Sequence, residues 1–536
     1  MLCNTGIAQI TERERPKEWD QLVPGARFID RFLPMKGKVL SSDTWGSADV
    51  LPRYIDNGIE DRIWSYWGGN IQKGENGLYH LFVCGWLESS PKGHGEWPNS
   101  YIFNAVSDNP VGPFKARNMI GAGHNPEVFR LNDGRYVLYV INGRYVTDDL
   151  NGKWEYGKFD FDPRGRKIIE GLSNLSFASR EDGSYIMVCR GGGIWISRDG
   201  LSTYRQITDK RVYPDVDGRF EDPVIWKDHI QYHLIVNDWY GRIAFYLRSR
   251  DGIKWVVDPG EAYIPGIARH EDGQSEEWFK YERIKMYQDK YGRAIQANFA
   301  VIDTLKYEDK PFDTHSSKNI AIPLNPGLLL TIPDNTPITH RTKTIRVRIE
   351  AEEGFNPQTD IDIESLRFGA SEEVNYGRGC VPLKTENEGN ALTVTFNGKG
   401  NGITEDEFAP KLIGKYKNGK MLYGYVRLPY INYVEPLLSA CAPSFQQTDR
   451  GWNCEIEVEN FGQVASQNAS LKLERTINGK KMTVASGNIP ALQPYEKTTV
   501  TLACKKGNEE IESAGITVAI HSGKKILSTL ELKKEK

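Results

Sequence analysis

A short strand motif recurs five times along the first 330 residues, and this repeat constrains the fold more than any other feature. The motif is Gly-x-Tyr followed by apolar residues. Isoleucine replaces the glycine in the fourth copy, and the fifth copy is weaker. The copies begin at Gly77, Gly134, Gly183, Ile230 and Gly292, so successive copies lie 47 to 62 residues apart. Repeated units of this length bury their hydrophobic faces by packing against their neighbours.

Each copy of the motif belongs to a larger antiparallel unit. A short strand and a polar turn, such as Asn132-Asp-Gly134, precede the motif, and a third strand such as Ile194-Trp-Ile-Ser197 follows most copies. Five such meanders are typical of the blades of a β-propeller. We therefore predict a five-bladed β-propeller over residues 31–335. Separate sandwiches are the alternative, but units this short would leave one sheet face without a partner.

The composition agrees with an all-β chain. The 536 residues include 13 Trp, 26 Tyr and 20 Phe, together with 52 Gly and 27 Pro. Aromatic residues favour strands, and glycine and proline favour tight turns, so a long helical bundle is excluded. The formal net charge of -3 argues against a nucleic-acid partner. No segment approaches the roughly 20 apolar residues of a membrane-spanning helix.

Two further domains are predicted after the propeller. Residues 340–435 contain several short strands and are predicted to form an accessory β-sandwich. Residues 440–536 alternate apolar and polar residues in about seven short strands, which is typical of an immunoglobulin-like sandwich. The predicted fold is therefore a five-bladed propeller followed by two sandwiches. The segment Val458-Glu-Asn-Phe-Gly462 resembles CARDB-type adhesion sandwiches of bacterial surface proteins, which implies either substrate targeting or passive stabilisation.

The N-terminal segment, residues 1–30, is open to two interpretations. Residues 1–9 fit the remnant of a signal peptide or a disordered start. A periplasmic or cell-surface location is the expectation if the substrate is extracellular. The 7 cysteines lack any Cys-x-x-Cys spacing, so neither a disulfide framework nor a thiolate metal cluster is predicted. The oligomeric state stays open.

A candidate site follows from the propeller geometry, because the innermost strands converge on one axis. Polar residues at the starts of those strands are costly in a buried strand unless they have partners or a function. The predicted substrate-binding residues are Trp67, Asn70, His124, Asn125, Asn174 and Arg283. Trp64, Trp86 and Trp97 are further candidates for stacking on sugar rings, and packing within a blade is the alternative for each.

The segment Arg219-Phe-Glu-Asp-Pro-Val-Ile-Trp226, followed by Tyr232-His-Leu, resembles a known family. It is similar to the general-acid blade of five-bladed glycoside hydrolases of family 43 and of the related families 32, 62 and 117. The resemblance covers about residues 40–330. It implies a poly- or oligosaccharide substrate of plant or algal type, with Glu221 as the proton donor. It implies no cofactor; a calcium or sodium ion lies on the axis in relatives, and no ligand set for one is legible in this chain.

This chain departs from the family pattern at two positions. The family's first blade opens with an Asp-Pro pair whose Asp is the base, whereas this chain has Trp67-Gly-Gly-Asn70. The acid of the middle blade is also missing near Ser173. The candidates for a second catalytic carboxylate are, in order of preference, Glu282, Asp222, Glu127 and Asp61.

Three functions remain open from the sequence. The first is a glycoside hydrolase with Glu221 as general acid. The second is a polysaccharide lyase with a His or Tyr base, for which His124 and His80 are candidates. The third is a non-catalytic glycan-binding propeller. In the structural alternatives, Glu221 pairs with Arg219 or Arg242, and Glu282 and Arg283 form an internal ion pair.

Overall fold

The computed structural model describes residues 13–41, 53–168, 171–312, 317–449, 451–477, 480–505 and 515–532. Residues 1–9, the candidate signal-peptide remnant, lie outside the described residues. Strands dominate the described chain, and its helices are short. They are 3-10 helices at Lys17–Gln21, Phe28–Arg31 and Gly93–Asn99, and the single-turn helices α1 (Pro357–Asp360) and α2 (Ser371–Val374). The prediction of an all-β chain is confirmed.

The chain forms two compact units. The first contains the described residues within Met1–Lys158, Ser173–Ala178 and Tyr213–Ile431. The second contains those within Phe159–Leu172, Ser179–Val212 and Asn432–Lys536. Part of the predicted propeller segment therefore belongs to the same compact unit as the C-terminal residues.

The described residues of the repeat region form twenty strands, most of them in antiparallel meanders. In chain order they are β1 (Trp64–Lys73), β2 (Tyr79–Leu87), β3 (Tyr101–Ser107), β4 (Lys115–Ala122), β5 (Glu127–Arg130), β6 (Tyr136–Val140), β7 (Gly143–Thr147), β8 (Glu155–Gly157), β9 (Phe161–Asp162), β10 (Ser176–Ser179), β11 (Tyr185–Val188), β12 (Ile194–Ser197), β13 (Tyr204–Gln206), β14 (Phe220–Lys227), β15 (Tyr232–Asp238), β16 (Ile243–Ser249), β17 (Val256–Val257), β18 (Lys280–Gln288), β19 (Ala294–Ile302) and β20 (Ser317–Pro323).

The first unit contains four sheets from the repeat region. Their strand orders are β1-β2-β3-β4, β5-β6-β7-β8, β14-β15-β16-β17 and β18-β19-β20. The five copies of the sequence motif lie at β2, β6, β11, β15 and β19, the second strand of each meander. The motif glycine has a positive φ in four copies, which closes the turn before the strand.

The first unit continues into a pair of sheets that share one core. Their strands are β21 (Leu330–Thr331), β22 (Thr344–Ile349), β23 (Ile361–Gly369), β24 (Pro382–Glu388), β25 (Ala391–Asn397), β26 (Lys411–Tyr416) and β27 (Met421–Tyr425). The sheet orders are β21-β22-β25-β24 and β23-β26-β27. Val347, Phe368 and Val394 are fully buried between them.

The second unit also contains two sheets around a core, built from the C-terminal strands. These are β28 (Leu438–Ala440), β29 (Ser444–Thr448), β30 (Gly451–Asn460), β31 (Ala469–Ile477), β32 (Lys480–Ile489), β33 (Lys497–Lys505), β34 (Ile516–Ser522) and β35 (Lys525–Leu532). One sheet joins β28, β29 and β33 to β30, and the other has the order β32-β31-β34-β35. Ile456, Leu471 and Ile520 are buried in the shared core.

Two arginines explain why a repeat segment groups with the C-terminal strands. Arg164 Nη2 donates to the backbone oxygen of Ser439 at 2.7 Å, and Arg180 Nη1 donates to that of Phe461 at 2.9 Å. Both contacts lie within the second unit. Among the described residues, no helix has the length and apolar character needed to cross a membrane.

Candidate active site

Five strands of the first unit, β1, β5, β10, β14 and β18, meet side by side. At three of the junctions, a backbone N–H of one strand donates to a polar side chain of the strand before it. These bonds run from Val128 N to Asn70 Oδ1 at 2.8 Å, from Phe177 N to Glu127 Oε1 at 2.8 Å and from Ile225 N to Ser176 Oγ at 3.1 Å. Strand β18 contacts both β14 and β1, which closes the ring.

In β1, β14 and β18, and two residues before β5 and β10, a residue in the left-handed region occupies the equivalent position. We call these five the axial turn residues: Gly68 (φ 63°), Asn125 (φ 52°), Asn174 (φ 52°), Asp222 (φ 55°) and Arg283 (φ 54°). Gly, Asn and Asp adopt this conformation most readily. In β1, β14 and β18 the strand pairing shifts at this position, as in a β-bulge. The five strands therefore bring equivalent backbone positions to the same level of the ring, and four of them carry polar side chains there.

Four axial turn residues form a continuous hydrogen-bonded chain. Asn125 Nδ2 donates to Asn174 Oδ1 at 2.9 Å, and Asn174 Nδ2 donates to Asp222 Oδ1 at 3.3 Å. Asp222 also accepts from the Arg283 backbone N–H at 3.2 Å and from its Nη1. An open pocket borders these four side chains, with about 270 Å³ of empty space that includes solvent at its mouth. The sequence-predicted residues Asn125, Asn174, Asp222 and Arg283 are thus brought together.

The buried pair of Asp222 and Arg283 sets the charge at the centre of the ring. Burial raises the pKa of Asp222 to about 6, although the Arg283 guanidinium favours the ionised carboxylate. Burial also opposes the charge of Arg283, but the neighbouring carboxylates of Asp222 and Glu221 outweigh it and raise the guanidinium pKa. Arg283 is therefore a permanent cation at this point.

Glu127 is held by other residues of the ring. Its Oε1 accepts from Ser176 Oγ at 3.1 Å and from Phe177 N, and its Oε2 pairs with Lys285 Nζ. Lys285 lies two residues after Arg283, as Glu127 lies two residues after Asn125. The Glu127 carboxylate therefore ties β5 to β10 and β18.

The axis does not fit a resident metal ion. Its carboxylates, Asp222 and Glu127, are already paired with Arg283 and Lys285. The part of the chain that the structure describes contains no group of three His, Cys, Asp or Glu side chains arranged for a metal. Protein cations balance the axial carboxylates instead.

Glu221 and Glu282 immediately precede axial turn residues on the neighbouring strands β14 and β18. Glu221 is half-buried, whereas the side chain of Glu282 is only 1% exposed. Lys306 Nζ donates to Glu282 Oε2, and Lys280 Nζ lies 3.6 Å from Oε1. Burial opposes ionisation of Glu282, but Lys306 and Lys280 outweigh it and lower its pKa to about 2. Glu282 is therefore ionised at neutral pH.

A second cavity borders Glu282. It is an open pocket with about 220 Å³ of empty space that includes solvent at its mouth, and Trp239, Arg242, Tyr263 and Lys280 are among its lining residues. The hydroxyl of Tyr263 and Oε1 of Glu282 are buried without a hydrogen-bond partner among the described residues. Polar atoms in this state suit a ligand that carries hydroxyl groups.

His124 precedes Asn125 just as Glu221 precedes Asp222. Its Nδ1 lies 3.0 Å from Ser100 Oγ, and its ring centroid lies 4.8 Å from that of Trp97. Burial lowers the pKa of His124 well below its usual value, so the imidazole is neutral at pH 7. Trp97 is 40% exposed and offers its ring to solvent beside His124.

Trp67 and Asn70 have their side chains inside the protein. Trp67 is 0% exposed, and the His94 ring meets it edge-on with centroids 4.6 Å apart. Lys306 Nζ lies 5.0 Å from its ring centroid. Asn70 exchanges two hydrogen bonds of 2.8 Å with the backbone of Val128. Trp67 therefore supports the lysine that pairs with Glu282.

Two alternative residues lie apart from this cluster. His80 Nδ1 lies 3.0 Å from Asn104 Oδ1 within the first sheet. Asp61 Oδ1 accepts from the backbone N–H groups of Ile63 at 2.7 Å and Trp64 at 2.8 Å, before β1 begins. Neither His80 nor Asp61 forms a hydrogen bond with an axial turn residue in the part of the chain that the structure describes.

Sequence reasoning missed the three lysines of the site. Lys285 could have been found, because it occupies the same place after Arg283 as Glu127 does after Asn125. Lys280 opens β18, and its spacing of two from Glu282 gave a weak signal. Lys306 lies in a segment without a repeated motif, and nothing local in the sequence points to its contact with Glu282.

No protein-family model matches this chain, and no curated protein matches it. Among solved structures, it is similar to an α-L-arabinofuranosidase from Lactobacillus brevis, at 10% identity and a TM-score of 0.35, over 50% of this chain and 92% of that one. It is similar to a thermostable family-43 glycoside hydrolase at 12% identity and a TM-score of 0.30, over 50% and 90% of the two chains. A family-43 protein from Bacillus licheniformis has 10% identity and a TM-score of 0.31, over 89% and 90%. At these low TM-scores the likeness carries no argument about function.

Proposed function

We propose that this chain is a glycoside hydrolase that cleaves a poly- or oligosaccharide at the ring of five strands. One observation carries the proposal: Glu221 and Glu282 occupy equivalent positions on neighbouring strands. The residues that follow them, Asp222 and Arg283, are bound to each other. The backbones that hold the two carboxyl groups are therefore fixed relative to one another, as catalysis by a carboxyl pair requires.

The two carboxyl groups have different environments, which suits different roles. Glu282 is kept ionised by Lys306 and Lys280, so it stabilises positive charge on the sugar ring or receives a proton from water. Glu221, which is half-buried, donates its proton to the glycosidic oxygen as that bond breaks. Arg283 and Asp222 position both groups without contacting the substrate bond.

The proposal includes the five-bladed propeller. The first strands of the five repeats would start the blades at the ring, with equivalent axial turn residues around the axis. Trp97 is the tryptophan best suited to stack on a sugar, because its ring is exposed beside His124. Residues 340–435 and 440–536 would be accessory sandwiches, and the enzyme would act in the periplasm or at the cell surface.

A lyase is the second candidate, and the neutral state of His124 favours it. A neutral imidazole at the ring is ready to accept a proton from the carbon beside a uronate carboxyl group. Elimination leaves an unsaturated uronate, whose ultraviolet absorbance distinguishes it from a hydrolysis product. The hydrolase ranks first, because two carboxyl groups occupy equivalent positions.

The test is a screen of plant and algal polysaccharides for released reducing sugar, followed by Glu221→Gln and Glu282→Gln on the substrate that is cleaved. We expect each variant to lose activity by about 10²–10⁴-fold, the usual range for general acid–base catalysis. Glu75→Gln is the matched control, since its side chain is 89% exposed. Full activity in Glu221→Gln would refute the assignment, and ultraviolet-absorbing products lost only in His124→Ala would establish the lyase.

A further inference from the structure

We propose that a second pocket of the first unit, next to Arg31, binds a small organic carboxylate. We call it the Arg31 pocket. Its volume is about 440 Å³ out to its open mouth, and its lining includes Arg31, Trp226, His229, Ala294, Tyr423 and Tyr425. None of these residues belongs to the ring site, so the proposal is independent of the hydrolase.

The Arg31 guanidinium is surrounded by aromatic rings. The residue is 5% exposed, and four ring centroids lie within 6 Å of its central carbon. They belong to Tyr423 at 4.4 Å, Phe28 at 4.5 Å, Tyr246 at 4.8 Å and Tyr425 at 5.7 Å. Such contacts hold a guanidinium in place, but they do not supply a counter-charge.

Arg31 has hydrogen-bond donors that the described residues leave unused. A guanidinium carries five N–H donors. Nη2 donates to the Tyr425 hydroxyl at 3.3 Å, while Nε is buried without an acceptor. No carboxylate of the described chain forms an ion pair with Arg31. A buried cation in this state is costly unless an anion accompanies it.

Two other charged residues line the pocket, Arg293 and Asp228, and the partner of Asp228 is a histidine whose pKa is lowered by burial. Arg293 binds Glu352 at 2.6 Å and Asp289 at 2.8 Å. His233 Nε2 lies 3.0 Å from Asp228 Oδ2. Nearby, Arg248 binds Asp258 at 2.8 Å.

Lys411 lies in the same buried region. Its Nζ donates to Ala26 O at 2.9 Å and to Asn375 Oδ1 at 2.7 Å, which are both neutral acceptors. A carboxylate bound in the pocket would give Arg31 the counter-charge that it lacks as a direct contact.

The chemistry of the pocket favours a carboxylate over an inorganic anion. The planar guanidinium fork matches the two oxygens of a carboxylate. Trp226, Ala294 and Leu328 also line the space, so an anion with a small apolar group fits better than a fully hydrated one. The competing account is that the aromatic rings alone stabilise Arg31 as a structural cation.

The experiment measures thermal unfolding of the full chain at pH 7 in sodium acetate and in sodium chloride of equal ionic strength. We expect acetate to raise Tm saturably in the wild type, as for a ligand that binds only the folded state. Arg31→Gln should weaken the apparent acetate affinity at least tenfold. Ala294→Leu fills the pocket and keeps Arg31, and it should also weaken the apparent acetate affinity at least tenfold. This variant replaces Arg31→Gln in the test if Arg31→Gln fails to fold. Arg341→Gln, an exposed arginine, is the control and should behave as wild type.

Three results would overturn the proposal. Equal acetate responses in wild type, Arg31→Gln and Ala294→Leu would make Arg31 a structural cation. An equal Tm in acetate and in chloride for the wild type would also make Arg31 a structural cation. A sulfate response that depends on Arg31, without an acetate response, would assign the pocket to tetrahedral oxyanions instead of carboxylates.

Discussion

The ring site and the Arg31 pocket are both rich in buried charge, but Arg31, unlike the cations of the ring site, forms no ion pair with a carboxylate of the described chain. At the ring, Glu127, Glu221, Asp222 and Glu282 face the same number of cations: Lys280, Arg283, Lys285 and Lys306. Around the Arg31 pocket, Arg31 and Lys411 lack carboxylate partners. A cluster of paired charges holds its carboxyl groups in fixed positions, which suits catalysis, whereas a cation without a paired carboxylate suits an anionic ligand.

Breaking the balance at the ring should have the largest effect on stability. Arg283→Met leaves Asp222 buried without its cation, so we expect the free energy of unfolding to fall by about 3–5 kcal/mol. Urea unfolding of the wild type and the variant measures this loss of free energy. Arg283→Met with Asp222→Asn removes both charges and should recover part of the loss. The exposed Arg135→Met should cost nothing measurable, and an equally harmless Arg283→Met would show that the pair is not essential to the ring.

The burial of Lys411 near Arg31 should appear in the pH dependence of stability. Burial lowers the pKa of Lys411 to about 7 from 10.5, with Arg31 and Arg248 adding to the shift and Asp258 and Asp30 opposing it. Between these values the unfolded chain binds a proton that the folded chain does not, so stability from this group rises with pH. The gain is about 1.4 kcal/mol per pH unit.

Lys411→Met removes this contribution, and urea unfolding at pH 7, 8 and 9 measures the difference between wild type and variant. We expect the free energy of unfolding of the wild type, relative to that of the variant, to increase at each pH step. Parallel curves would show that Lys411 keeps its proton in the folded chain over this range and would contradict the prediction.

The smallest effect should come from the backbone of the axial turn residues. Asn174 has φ 52°, so Asn174→Ala should be less stable than Asn174→Gly by about 1 kcal/mol. Both variants lose the same side-chain hydrogen bonds, so thermal unfolding isolates the backbone term. At the exposed Asn151, alanine should be at least as stable as glycine. If alanine were at least as stable as glycine at Asn174 too, the result would contradict a left-handed turn at the axial positions.

The sequence predicted the strands of the repeat well, because the Gly-x-Tyr motif contains both the turn residue and the apolar residues of the strand that follows it. It also singled out the starts of β1, β5, β10, β14 and β18, and four of its candidate residues form the chain from Asn125 to Arg283. The contact between Lys306 and Glu282 could not be predicted, because Lys306 reaches Glu282 from a loop without a motif.

The division into units was not predictable either. Arg164 and Arg180 bind backbone oxygens near residues 439 and 461, far away in sequence. Local patterns carry no information about such contacts. The same holds for Arg31, whose aromatic neighbours come from three separate segments.

The most direct test of the central claim compares leaving groups in Glu221→Gln and Glu282→Gln. An aryl glycoside with an acidic phenol leaves without help from a general acid, whereas a sugar does not. We predict that Glu221→Gln keeps most of its kcat/KM on the activated aryl glycoside and loses about 10²–10⁴-fold on the natural linkage, while Glu282→Gln loses activity on both. Equal losses on both substrates in Glu221→Gln would contradict its role as the general acid.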